Sequence, residues 1–151
     1  VSVTLEESIS KLPIIAVPPG EEIISEDEHL DRIYFLKSGR MEVLRDGIRL
    51  NLIKTPGSVL GEISVLLGSQ STASVVALDE VEVYLCEDPL TFLKDHPEVS
   101  LHVSHLLASR LAAATQYLVD VKDQLKDCSD HVGMVDGVLD SILHRDLKKK
   151  I

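Results

Sequence analysis

Short apolar runs alternate with turn signals from Ile14 to Glu87. The runs Ile14–Val17, Glu22–Ile24, Arg32–Leu36, Met41–Leu44, Ile48–Ile53, Ser74–Leu78 and Val81–Cys86 are rich in β-branched residues and read as strands. Pro18-Pro19-Gly20, Lys37-Ser38-Gly39, Asp46-Gly47 and Thr55-Pro56-Gly57 lie between them. Asp46-Gly47 predicts a tight hairpin, because both central residues of such a turn must tolerate positive φ. Short strands at this spacing predict a sandwich or a barrel-like roll.

At Asp88 the period changes from two to about 3.6. Asp88-Pro89 reads as an N-cap with proline in the first helical position, opening a short helix through Phe92 and Leu93. His96-Pro97-Glu98 breaks it and starts a long helix to about Lys126. On that helix Leu107, Leu111, Ala114, Leu118, Val121 and Leu125 recur at alternating spacings of four and three, an a/d seam. The seam fits a two-fold pairing of long helices in a homodimer, or packing on the chain's own roll. Ser129-Asp130 then looks like the cap of a last helix, Val132 to about Leu147, striped by Val132, Val135, Leu139 and Ile142. Gly133 and Gly137 weaken it by about 1 kcal/mol each relative to alanine, and mark either close helix approach or a marginal segment. The expected fold is mainly β with α: a double-stranded, jelly-roll-like antiparallel β-roll preceded by a short helix, then a long C-terminal helix and a short terminal one. Residues 1–126 form the roll with its long helix, and residues 127–151 a helical extension.

At 151 residues the chain fits one domain with a short appendage. The net charge of −10 repels a phosphate backbone, so nucleic-acid binding is not expected from this segment. The one basic run, Lys148–Lys150, suits a helix C-terminus or a solvated tail. The apolar runs are too short to span a bilayer, and no basic, apolar leader precedes them, so no membrane is expected. Val1 is an unusual first residue, and suggests a start that is processed or cut from a longer chain. Cys86 and Cys128 stand in no metal or redox spacing and read as packing residues in a reducing cytoplasm. No nucleophile–base pair, phosphate loop or metalloprotease spacing appears, so no catalytic residue and no enzyme is expected. His96, His102 and His105 lack the carboxylates or thiolates of a metal set, and the run Glu26 to Asp31 reads as a solvated loop.

Pro19-Gly20-Glu21, the segment Ile33 to Gly39, and Pro56-Gly57 followed by Leu60-Gly61-Glu62-Ile63 resemble the cyclic-nucleotide-binding domain family of catabolite activators and protein-kinase-A regulatory subunits. The resemblance covers roughly Leu12 to Lys126. It implies cAMP or cGMP as ligand, with a short helix over Gly61–Leu67 aiming backbone N–H groups at the phosphate and Glu62 accepting the ribose 2′-hydroxyl. The implied ligand set is Gly61, Glu62, Ile63, Ser64, Ser71, Thr72 and Ala73, with Ala114 and Thr115 after Arg110-Leu111 at the base end.

Ser71 falls where the family carries a phosphate-binding arginine, and no lysine or arginine lies between Lys54 and Lys94. Removing one partner from a buried charge pair costs about 3–5 kcal/mol, on the order of a hundredfold or more in affinity. Arg40, Arg45 or Arg49 is then the candidate to reach in from a neighbouring strand. Glu62 is a ribose ligand or an acidic residue suited to a helix start; Ser71 and Thr72 bind phosphate weakly or simply build a strand-entry turn. The expected function is a regulatory cyclic-nucleotide-binding-like domain with weak, altered or lost binding, acting through ligand or protein partners. The alternatives are a full cAMP or cGMP sensor and a truncated catabolite-activator-type transcription regulator. The latter needs a winged helix-turn-helix far longer than the 25 residues after Lys126.

Overall fold

A computed structural model describes residues 4–126 and 129–143. Helix α1 (Leu5–Ile9) opens the described chain, fixed by a reciprocal capping box between Thr4 and Glu7. The strands follow as β1 (Ile14–Val17), β2 (Glu22–Ile24), β3 (Ile33–Ser38), β4 (Met41–Arg45), β5 (Ile48–Ile53) and β6 (Val59–Leu60). Helix α2 (Glu62–Leu67) precedes β7 (Ser74–Ala77) and β8 (Val81–Cys86), and then come α3 (Pro89–Asp95), α4 (Pro97–Gln124) and α5 (Ser129–Leu143).

The eight strands form two antiparallel four-stranded sheets, ordered β1-β8-β3-β6 and β2-β7-β4-β5. This is the antiparallel roll with helices expected from the sequence. The Asp46-Gly47 hairpin has both residues at positive φ, 51° and 76°, as a tight turn between twisted strands demands.

Between the sheets Val17, Tyr34, Leu36, Leu60, Val83 and Leu85 meet Ile24, Met41, Ile53, Val75 and Ala77 in one apolar cluster. Strand β3 reads as a continuous apolar run because both its faces are covered. Tyr34 and Leu36 point into that cluster, whereas Phe35 lies 6.5 Å, ring to ring, from Phe92 of α3. Cys86 is buried and its thiol is pushed up to about 11 by that burial, so it packs as a small apolar residue and stays protonated at neutral pH. Ser8 of α1, itself buried, donates to Glu98 at the start of α4 at 2.5 Å. His102 Nε2 meets the Gly57 carbonyl at 2.8 Å, and His96 Nδ1 the Phe92 carbonyl at 2.9 Å.

Several boundaries differ from the sequence reading. Strand β3 begins at Ile33 and runs on to Ser38, because β8 keeps pairing with it across an irregularity between Leu36 and Ser38. Strand β6 is an eighth strand, two residues long, paired with Tyr34 and Phe35. Asp88 precedes α3 as expected, but its side chain makes no cap hydrogen bond. Helix α5 starts at Ser129, before the predicted Val132. Its expected end at Leu147, Cys128 and the basic run Lys148–Lys150 lie outside the described residues.

The chain divides into two compact units, residues 1–104 and 105–151, with α4 contributing to both. In the second unit, Lys122 of α4 forms an ion pair with Asp136 of α5, and Val135 is buried. A Cβ on Gly133 or Gly137 would meet nothing within 4 Å, so neither glycine is a point of close approach among the described residues. Along the seam, Leu107, Leu118, Val121 and Leu125 are half-buried, while Leu111 and Ala114 are exposed. Among the described residues no helix is long and apolar enough to cross a membrane.

Candidate functional site

The segment singled out around Gly61 is built by one glycine and one serine. Gly61 caps α2 at φ 87°, a left-handed conformation that a side chain rarely adopts. A Cβ there would also stand 3.1 Å from both the Arg32 carbonyl oxygen and Leu30 Cδ1. The helix therefore starts at Glu62, one residue later than the sequence suggested. Glu62 and Ser64 are each only 3 % exposed, whereas Ile63 turns outward at 44 %. Ser64 Oγ accepts from the Leu30 amide at 3.2 Å and donates to the Ser69 carbonyl. Both its roles are filled, as burial of a hydroxyl requires.

The second segment, Ser71-Thr72-Ala73, leads into β7. Ser71 Oγ donates to the Ala73 carbonyl at 2.8 Å, so the hydroxyl is turned onto its own chain. Ser71 is half-buried, Thr72 exposed and Ala73 buried. The Ser71 amide donates to the Glu28 carbonyl at 2.7 Å, and the Asp27 amide to the Ser71 carbonyl at 2.8 Å. The acidic loop between β2 and β3 thus holds both segments, through Leu30 on one side and Asp27 and Glu28 on the other. Its acidic side chains at Asp27, Glu28 and Asp31 are exposed, as a solvated loop predicts, but its backbone is a clamp. That role was invisible in the sequence, because it rests on main-chain groups that every residue carries.

The structure brings Gly61, Glu62, Ile63, Ser64, Ser71, Thr72 and Ala73 into the first unit around this loop. Ala114, exposed, and Thr115, half-buried, belong to the second unit. The three arginines considered as replacement cations have different fates. Arg40 Nε is 2.8 Å from Asp79, whose carboxyl is held below its ordinary range by that hydrogen bond. Arg49 is 2.8 Å from Glu42. Arg45 Nη1 instead donates to the Thr72 carbonyl at 2.9 Å, inside the second segment.

Two antiparallel sheets, a glycine-capped short helix and a small-residue strand entry make this a β-roll with a helix set between its strands. Residues 14–87 match the cyclic nucleotide-binding domain family, and the chain belongs to that family. It is similar to the CRP-like cAMP-activated global transcriptional regulator of Mycobacterium tuberculosis, 32% identical over 118 residues, covering 74% of this chain and 52% of that protein. It is also similar to the cGMP-dependent protein kinase egl-4 of Caenorhabditis briggsae, 34% identical over 68 residues, covering 45% of this chain and 9% of the kinase. Among solved structures, the catabolite activator protein of Thermus thermophilus superposes with a TM-score of 0.66 at 27% identity, covering 78% of this chain and 58% of that one. The chain thus spans about half the length of the transcription regulator it matches.

Proposed function

We propose that the chain is a regulatory module whose roll takes a cyclic nucleotide, cAMP or cGMP, only weakly, with a dissociation constant above about 100 µM. The observation that carries this reading is Ser71. It stands at the place that the family resemblance gives to an arginine, and its hydroxyl is turned onto the Ala73 carbonyl. A neutral hydroxyl in place of a planar, charged, bidentate donor forfeits much of the attraction for a phosphate. Gly61, Glu62, Ile63, Ser64, Ser71, Thr72 and Ala73 form the proposed phosphate and ribose end, while the family resemblance alone assigns Ala114 and Thr115 to the base. Occupancy is relayed to a partner, first of all a second copy of the chain along Leu107, Leu111, Ala114, Leu118, Val121 and Leu125. A buried, protonated Cys86 suits work in a reducing cytoplasm.

Calorimetric titration with cAMP and cGMP tests this. Wild type is expected to show a weak or undetectable heat. Ser71→Arg is expected to tighten binding, because the backbone held by Gly61 already has its shape. A sub-micromolar constant for the wild type overturns weak binding. No gain in Ser71→Arg points to a module that works through protein contacts alone. A second reading is favoured by the Mycobacterium tuberculosis relative, whose name makes it a transcriptional regulator: this chain is then the sensing part of a DNA-binding protein. The net charge of −10 supports DNA contact made elsewhere than on this segment.

A further inference from the structure

We infer that Arg45, at the end of β4, is the cation that meets the anionic phosphate of the ligand, standing in from a neighbouring strand for the arginine absent at Ser71. The inference rests on the proposed nucleotide binding of the roll and adds to it the residue that supplies the charge.

The cyclic phosphodiester of such a ligand is an anion at neutral pH, and the segment from Thr55 to Leu93 offers it no lysine or arginine. Nearby cations are mostly engaged by carboxylates: Arg32 with Asp31 at 3.0 Å, Arg40 with Asp79 and Arg49 with Glu42, each at 2.8 Å. Lys37 lies 3.6 Å from Glu82. Arg45 is different. Its nearest carboxylate, on Glu26, is 4.0 Å from Nε, beyond hydrogen-bond reach. Its formed hydrogen bond goes to the Thr72 carbonyl, the residue directly after Ser71.

Register explains how β4 delivers the side chain there. Met41 pairs with Ala77, Val43 with Val75 and Leu44 with Ser74. The paired stretch ends one residue short of Arg45, whose side chain reaches across the entry of β7 to the Thr72 carbonyl. A guanidinium has five N–H donors, and the Thr72 carbonyl takes one of Arg45's. The side chain is 53% exposed, so the others are open to an incoming oxyanion. A ligand held this way bridges the β4–β5 hairpin and the entry to β7, two segments that an arginine at position 71 would not have linked.

The test is an NMR titration of the whole chain with cAMP, cGMP and uncharged adenosine, following the amides of Ser71, Thr72 and Ala73. Arg45→Gln keeps an N–H for the Thr72 carbonyl and removes the charge. It is expected to weaken both cyclic nucleotides about tenfold and to leave any adenosine binding unchanged. Glu26→Gln removes the competing carboxylate and is expected to tighten both cyclic nucleotides. Thermal melting of each variant confirms that the roll is intact. Cyclic-nucleotide binding by the wild type that Arg45→Gln leaves unchanged overturns the assignment of Arg45 alone, as does an equal loss for adenosine. A wild type that binds neither cyclic nucleotide overturns the nucleotide-binding reading together with it.

Discussion

Gly61 shows how much of a site rests on a residue with no side chain. Its φ of 87° strains any other residue, and the 3.1 Å approach of the Arg32 carbonyl to an added Cβ makes the fit tight. Gly61→Ala is expected to destabilise the chain by about 1–3 kcal/mol, read as a lowered urea midpoint, and an unchanged midpoint would refute the strain. The turn-building character of Gly61 and Ser71 was legible in the sequence, because short segments of such residue types speak locally. The place of Arg45 was not legible beyond candidacy among three arginines. Its partner Thr72 is 27 residues away, and only the β4–β7 register sets the two together. The outward turn of Ile63 was equally hidden, since it depends on where α2 begins.

Elements were legible where a period ran long enough to declare itself, as in β8, the β4–β5 hairpin and α4. Strand β6 was missed because two residues carry no alternation, and it exists only through Tyr34 and Phe35 across the sheet. The tie between α1 and α4 was missed for a similar reason: Ser8 and Glu98 are 90 residues apart. That tie has a pH signature. The hydrogen bond from Ser8 holds Glu98 below the ordinary glutamate value of 4.5, so the unfolded chain takes up a proton there before the folded one does. Its stabilisation is fully present above pH 4.5 and fades as the pH falls through the lowered value. Ser8→Ala is expected to unfold at lower urea than wild type at neutral pH, with the gap closing in acid. A gap that stays constant across the acid range would show that Glu98 is not the partner through which Ser8 acts.

At the scale of the whole molecule, α4 leaves Leu111 exposed and Leu107, Leu118, Val121 and Leu125 half-buried in line with it. An apolar row that the chain itself half covers and that lies open at Leu111 fits a second helix closing over it. Light scattering is expected to give the mass of a dimer for the wild type and of a folded monomer for Leu118→Asp. A wild type that stays monomeric at micromolar concentration refutes the pairing, and a variant that unfolds shows that the stripe belongs to the interior. Strand β5 raises a different matter. It ends its sheet with Ile48 and Leu50 at 66% and 59% exposure and pairs with β4 on one side only. Such an edge is a template for any other strand, and mutual repulsion between molecules of charge −10 opposes pairing of copies along it. That protection is a property of the medium as much as of the fold. Near pH 4.9, where the charge vanishes, or in molar salt, where repulsion reaches only about 3 Å, colloidal stability passes to the bare margin of β5.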